Sequence, residues 1–207
     1  MKKPQDCLEK ERLVSLMDAV LAIIMTLLVL NLPSPRTPAL QGFWALRNSY
    51  FAYTLSFFWL GILWMALNRL FTLVSFVNSR VMGIGLGMLF ACSLVPYLTL
   101  LASDDFNSSL IQTLFGFCTG SVNILFAWMM AEISRYGQNS PALKTWIRQQ
   151  NRQLTRSFLI KAVGIVLAWI IWPPAVMISI IVSAVISVIY NRRNRNASAK
   201  KHPGICF

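Results

Sequence analysis

The chain alternates between long apolar runs and short segments that contain prolines or charged residues. A helix needs about 20 apolar residues to cross the hydrocarbon layer of a bilayer, which is about 30 Å thick. Four runs meet this length, at residues 13–32, 48–68, 81–102 and 109–131. The pattern therefore predicts an all-α, polytopic membrane protein.

The last apolar stretch has two interpretations. No charged residue occurs over 30 residues from Ala162 to Asn191, which is too long for one ordinary span, and Trp172-Pro173-Pro174 lies within it. Prolines remove a backbone donor and kink or end a helix. The stretch therefore forms either two short spans, at about 157–172 and 174–190, or one kinked helix.

The distribution of basic residues favours two spans. With six spans and a cytoplasmic N-terminus, 17 of the 19 Lys and Arg residues lie on the cytoplasmic side, Lys161 among them. A single kinked helix would move the tail outside and leave 12. Lys and Arg accumulate in cytoplasmic segments. We therefore expect one six-helix domain with a basic N-terminus, a loop at 134–156, a tail at 191–207 and both termini in the cytoplasm.

Composition narrows the class of protein. Apolar residues make up 56% of the chain and charged residues 13%, against about 25% charged residues in a soluble domain. The net charge is +12, but the basic residues lie in clusters between apolar runs. A nucleic-acid-binding protein would instead place them along one face of a folded domain, so we expect no nucleic-acid partner.

Residues that could hold a metal or perform catalysis are sparse. The one histidine, His202, lies in the tail, and the four cysteines form no C-x-x-C pair. The spans contain neither a Ser/His pair nor paired carboxylates, which argues against an intramembrane enzyme. We expect no cofactor, no resident metal and no enzymatic activity.

The first span carries an acid near membrane depth. Asp18 lies one to two helical turns from Arg12, and a carboxylate at this depth needs a partner or water. It either has a structural role, paired with a nearby base close to the membrane surface, or it takes part directly in the function of the protein.

The same span has an aliphatic stripe. At 100° per residue, Ile23, Leu27 and Leu30 lie within about 60° of one another, with Thr26 beside them. Asp18 points about 140° away from Ile23. Such a stripe by itself most often contacts lipid or the protein core.

The order of these residues resembles that in the first helix of the transmembrane-protein-175 family of potassium channels, in its prokaryotic six-helix form. That family has an Arg, five residues and an Asp, with Phe-Ser directly before the Asp. Arg12 and Asp18 match in identity and spacing, whereas Leu16-Met17 replaces Phe-Ser. Ile23 and Thr26 follow the Asp at the family's spacing.

Two further segments extend the resemblance over the first hundred residues. Trp64-x-x-x-Asn68-Arg69 is similar to a Trp-x-x-x-His motif of the family, with Asn in place of His. Pro96-Tyr97-x-Thr99 is similar to a Pro-Phe-x-Thr segment.

The resemblance implies a homotetramer in which four copies of the first span line a pore in the bilayer. Ile23 would form the narrowest ring, Leu27 and Leu30 further rings, and Thr26 would offer weak oxygen ligands. The resemblance also implies an anchoring network for this helix, formed by Arg12, Asp18, Trp64, Asn68 and Arg69.

An aliphatic ring offers an ion no ligands and can close a narrow pore by dewetting. We therefore expect a leak-type channel with a hydrophobic constriction, located in a prokaryotic plasma membrane. It would pass potassium, rubidium and caesium better than sodium, because these ions shed water more readily. A secondary transporter and a non-transporting accessory subunit are the alternatives.

Overall fold

The computed structural model describes residues 4–35, 37, 39–135, 141–170 and 174–186, and these residues form helices joined by short connections. Four helical segments are long and apolar enough to cross a membrane, and they coincide with the first four predicted spans. The chain is therefore an all-α membrane protein. Its helices are α1 Pro4–Leu30, α2 Leu40–Ala45, α3 Arg47–Leu73, α4 Ser79–Ser93, α5 Val95–Asp104, α6 Ser109–Arg135, α7 Pro141–Ile170 and α8 Ala175–Ile186.

The third predicted span consists of two helices in series, α4 and α5. Leu94 separates them, and Pro96 lies in the first turn of α5. Proline has no backbone N–H, and its ring crowds the carbonyl four residues earlier. The helical hydrogen-bond pattern therefore cannot run unbroken through this point, although α4 and α5 together still have the length of one membrane crossing.

The connecting segment at 134–156 is helical over most of the part that the structure describes. Helix α6 continues to Arg135, and α7 begins at Pro141 and runs without interruption to Ile170. Proline is suited to the first position of a helix, where its missing N–H has no partner to lose. Residues 136–140 of this segment, the last residues of the sixth predicted span and the tail at 191–207 lie outside the described residues.

Helices α7 and α8 lie side by side. A Cβ atom built on Gly164 would be 2.6 Å from the Cβ of Ser179 and 3.3 Å from the carbonyl oxygen of Ala175. In one continuous helix, residues 164 and 179 would be roughly 22 Å apart. The chain therefore reverses direction between α7 and α8 and does not continue as one kinked helix.

The broken helix α4–α5 lies at the centre of the bundle. Helix α1 packs against α3, α4 and α5, while α6 packs against α4, α5 and α7. Within the apolar stretch of α4–α5, 50% of the residues are buried, whereas 28% are buried in the apolar stretch of α1. Of the four candidate spans, α1 is the one that its own chain covers least.

Polar contacts between helices fix their register. Thr99 on α5 donates its hydroxyl to the Val95 carbonyl, so Ser56 on α3 is the donor in the 2.7 Å bond between the two hydroxyls. The Ser109 hydroxyl on α6 donates to the Ala168 carbonyl on α7 at 3.1 Å. Bonds of this kind between membrane helices contribute about 0.6 kcal/mol each on average.

Replacing Gly164 with Ala should destabilise the protein, because the new methyl group would lie 2.6 Å from the Cβ of Ser179. Overpacking of this kind costs about 1–3 kcal/mol. We expect a lower unfolding temperature for the purified protein in detergent. Gly120→Ala is the matched control: Gly120 is buried within α6, and a Cβ there would meet no heavy atom within 4 Å. Equal destabilisation by both substitutions would contradict the close approach of α7 and α8.

Candidate functional site on the first helix

Helix α1 has one face that packs against the rest of its chain. Its buried side chains recur every three or four residues, as expected for one stripe of an α-helix. Each is only 2% exposed, and together they contact the bundle formed by α3, α4 and α5: Leu13, Met17, Leu21, Ile24 and Leu28.

The predicted pore residues lie on the other face. Ile23 is 57% exposed, Leu27 42% and Leu30 75%, and Thr26 is exposed beside them. Large aliphatic side chains at membrane depth must contact either lipid or another protein surface. The structure therefore leaves a continuous apolar stripe on α1 for one of these two partners.

The structure brings together two of the predicted anchoring residues. The indole Nε1 of Trp64 on α3 donates a 2.8 Å hydrogen bond to a carboxylate oxygen of Asp18. Because this bond joins α1 to α3, the acid of the first span has a partner within its own chain.

The other three predicted anchoring residues lie at one level of the bundle. The bond described above, with a second one from Lys10 Nζ to the Val74 carbonyl at 2.7 Å, places α1 and α3 antiparallel. This register sets Arg12 opposite Asn68 and Arg69, and all three side chains are exposed. No hydrogen bond joins them within the described residues, so their role stays a prediction.

A glycine on α4 makes room for the first helix. A Cβ on Gly85 would lie 2.6 Å from Met17 Cε and 3.3 Å from Leu13 Cδ1. Among the three glycines of the third predicted span, Gly85 is the one in such a contact, since Gly83 and Gly87 have no heavy atom within 4 Å of an added Cβ. Met17, which departs from the family motif, thus packs directly against Gly85.

The sequence prediction for Lys161 is wrong. It was expected among the cytoplasmic basic residues, but it is 3% exposed inside the bundle. Its Nζ donates to the Thr119 carbonyl at 3.2 Å and lies 5.5 Å from the centre of the Trp59 ring. Gly164 and Ala168 follow on the same helical face, and such small residues commonly mark a face that packs against other helices.

A second ionisable residue, Glu132, is also buried although the sequence did not single it out, because the fourth predicted span ends one residue before it. Glu132 is 3% exposed and lies 3.4 Å from Arg80 on α4 and 3.8 Å from Arg135 on its own helix. Both arginines are largely exposed. This contact ties the start of α4 to the end of α6.

The first half of the chain matches a known protein family. Residues 12–96 match the family described as TMEM175, endosomal/lysosomal potassium channel. The matched region contains α1 from Arg12 onward together with α2, α3 and α4, and every predicted site residue lies within it, on α1 or α3. The resemblance found in the sequence is therefore confirmed over this region.

Two curated relatives are described as potassium channels. One, from Chryseobacterium sp., is 37% identical over 90 residues, which is 44% of this chain and 47% of the relative. The other, from Streptomyces collinus, is 32% identical over 100 residues, which is 46% of this chain and 48% of the relative. The chain thus spans about half the length of the curated relatives it matches.

The fold has a match among solved structures. The crystal structure of a lysosomal potassium-selective channel TMEM175 homolog from Chamaesiphon minutus superimposes with a TM-score of 0.73 at 21% identity. The match covers 89% of this chain and 97% of that one. It therefore extends the likeness in fold beyond residue 96, into α6 and α7.

Replacing Trp64 with Phe should weaken the attachment of α1, because the indole donor to Asp18 is lost while an aromatic ring remains. We expect a loss of stability on the order of 1 kcal/mol, measured as a lower unfolding temperature in detergent. Trp128→Phe is the control, since Trp128 is 56% exposed on α6 and its indole has no hydrogen bond within the described residues. If both substitutions had the same effect, the bond would not contribute.

Proposed function

We propose that this chain, whose residues 12–96 match the TMEM175 potassium channel family, is a potassium-permeable, weakly selective leak-type channel. Four copies of α1 would surround its pore. The observation that carries the proposal is the exposed stripe of Ile23, Leu27 and Leu30 on the helix that its own chain covers least.

The stripe supports assembly around α1. Ile23, Leu27 and Leu30 stay uncovered in one chain, while the opposite face of the same helix is almost fully buried. Symmetric packing of four chains would give these side chains a shared axis and let each level form a ring. A single chain would instead expose them to lipid, with no enclosed path for an ion.

Such rings would act as a hydrophobic constriction. An Ile23 ring has no polar atom to replace the water around an ion, so a narrow pore at this level can dewet and close. Thr26 would line the next level. Its hydroxyl donates to the Ile23 carbonyl at 2.7 Å, which leaves the oxygen lone pairs available to a cation.

Selectivity would come from the cost of dehydration. Potassium, rubidium and caesium hold their water less strongly than sodium, so they enter a narrow apolar ring at a lower cost. The few oxygen ligands that Thr26 offers would not form a full coordination shell. The expected preference for potassium over sodium is accordingly modest.

The proposed topology has six spans, with both termini on the cytoplasmic side of a bacterial plasma membrane. The side-by-side packing of α7 and α8 supports a final pair of spans. Lys10, Arg80 and Arg135 lie toward one end of the bundle, and the Asp104–Asp105 pair lies at the other. The positive-inside tendency assigns the first of these ends to the cytoplasm.

A secondary transporter is the alternative that one observation favours. Lys161 is an ionisable side chain buried among membrane helices, and transporters place such groups on ion pathways. Ion flux that saturates with concentration, or that is coupled to proton movement, would support the transporter. No flux at all would support an accessory subunit.

The Ile23→Asn variant should wet the constriction, because it adds a polar group to every subunit at the narrowest ring. We expect higher cation flux and a weaker preference for potassium over sodium, measured by ion uptake into liposomes that contain the purified protein. Ile124→Asn on α6 is the matched control, since Ile124 is 55% exposed and Ile23 57%. Unchanged flux and ion preference in the Ile23 variant would argue strongly against the pore assignment.

A cysteine at Leu30 should crosslink neighbouring chains if four α1 helices share an axis. In a background without Cys7 and Cys206, oxidation of Leu30→Cys in membranes should give disulfide-linked dimers on a denaturing gel. Phe117→Cys should stay monomeric, because Phe117 is equally exposed (73% against 75%) but lies on α6. Light scattering of the uncrosslinked protein should give the mass of four chains, and a monomeric mass would refute the assembly.

A further inference from the structure

The first half of α7 carries a regular series of basic residues that ion permeation does not explain. Lys144, Arg148, Arg152 and Arg156 recur at intervals of four residues, and all four are exposed. Residues four apart lie on the same side of a helix, so the side chains form one basic stripe. Leu143 and Ile147 are buried against the bundle, which turns the stripe outward.

A negatively charged partner would stabilise the stripe. Like charges four residues apart on a helix repel each other and destabilise it. Helix α7 contains no Asp or Glu over its 30 residues. Within the described residues, no ion pair involves Lys144, Arg148 or Arg152.

The rest of the chain supplies few acids that could serve. It has seven Asp and Glu residues in all. Glu132 already pairs with two arginines, and Asp18 accepts the bond from Trp64. Asp104 and Asp105 lie at the opposite end of the bundle, and the remaining three acids belong to the start of α1.

The packing of α7 against α6 shows at which end of the bundle the stripe lies. Contacts of Ser157 with Asn123 and of Lys161 with Thr119 set α7 antiparallel to α6. The stripe therefore lies beside the last turns of α6, at the end of the bundle that holds Glu132.

The inference rests on the proposed six-span topology, in which α7 crosses the membrane and the length of its apolar part sets the depth of the stripe. This part runs from Ser157 to Ile170, 14 residues, or about 21 Å of helix. Because the hydrocarbon layer is about 30 Å thick, Arg152 is drawn to the boundary between acyl chains and headgroups. Arg148 and Lys144 follow one and two turns further out, across the headgroup layer.

We infer that the face of α7 formed by Lys144, Arg148 and Arg152 binds the phosphate groups of anionic membrane phospholipids. Guanidinium groups bind phosphate through two parallel hydrogen bonds, and long basic side chains bury their stems while the charged end reaches the headgroups. This binding surface is separate from α1 and does not depend on the chain conducting ions.

The test measures lipid binding by the full-length protein in neutral detergent, with phosphatidylglycerol, phosphatidylcholine and inorganic phosphate as separate probes. Retained lipid is counted by native mass spectrometry. The main variant is K144Q/R148Q/R152Q. Its matched control, R192Q/R193Q/R195Q, removes the same charge from the tail, and R148K/R152K keeps the charge of the stripe.

Each neutralisation should weaken phosphatidylglycerol binding roughly fivefold at low salt, and the stripe variant therefore on the order of 100-fold. The tail control should bind nearly as well as the parent, and R148K/R152K should keep most of the affinity. Phosphatidylcholine and inorganic phosphate should bind far more weakly than phosphatidylglycerol.

Three results would overturn the inference: equal losses in the stripe and tail variants, equal binding of the two lipids, or equal binding of inorganic phosphate. Equal losses in the stripe and tail variants would mean that only the net charge of the protein matters. Equal binding of inorganic phosphate would mean that the site binds a free anion and not a lipid. If the triple variant elutes as an aggregate, phosphatidylglycerol binding is measured for the single variants Arg148→Gln and Arg152→Gln instead. Arg192→Gln is then their control.

Discussion

The packing of one face of α1 against the rest of the chain is the contact on which the candidate site depends. A helix that seats Leu13, Met17 and Leu21 between its neighbours must present the opposite side chains elsewhere, because the helical period fixes the angle between them. The absence of a side chain at Gly85 allows this close seating. The exposed stripe of Ile23, Leu27 and Leu30 is therefore a consequence of how the buried face packs.

A few polar contacts set the register of helices whose surfaces are otherwise apolar. Apolar side chains pack in many registers at similar free energy, whereas a hydrogen bond requires its donor and acceptor to meet within a narrow range of distances and angles. The bonds from Trp64 to Asp18 and from Ser56 to Thr99 hold α3 against α1 and α5. Lys161 joins α7 to α6 through a backbone carbonyl, which every residue offers and no motif reveals.

The basic residues have different roles although they look alike in the sequence. Arg80 and Arg135 flank a buried acid, Lys161 is buried in contact with α3 and α6, and Arg148 and Arg152 are exposed. The positive-inside rule uses all of these residues in the same way, to predict which side of the membrane each segment lies on. Burial and partners separate a charge that orients the chain from one that holds helices together, and both are properties of the folded state.

Hydropathy alone determined the all-α membrane class and the first four spans, because a bilayer imposes one length on any helix that crosses it. Helical phase placed Ile23, Leu27 and Leu30 on one face, and the resemblance to a known family placed Trp64 and Asp18 in one anchoring network. Tertiary structure decided which face of α1 is buried, where Pro96 divides the third span, and that α7 and α8 lie side by side. It also decided the burial of Lys161 and Glu132. These features depend on which distant residues come into contact, and no local period or composition specifies that.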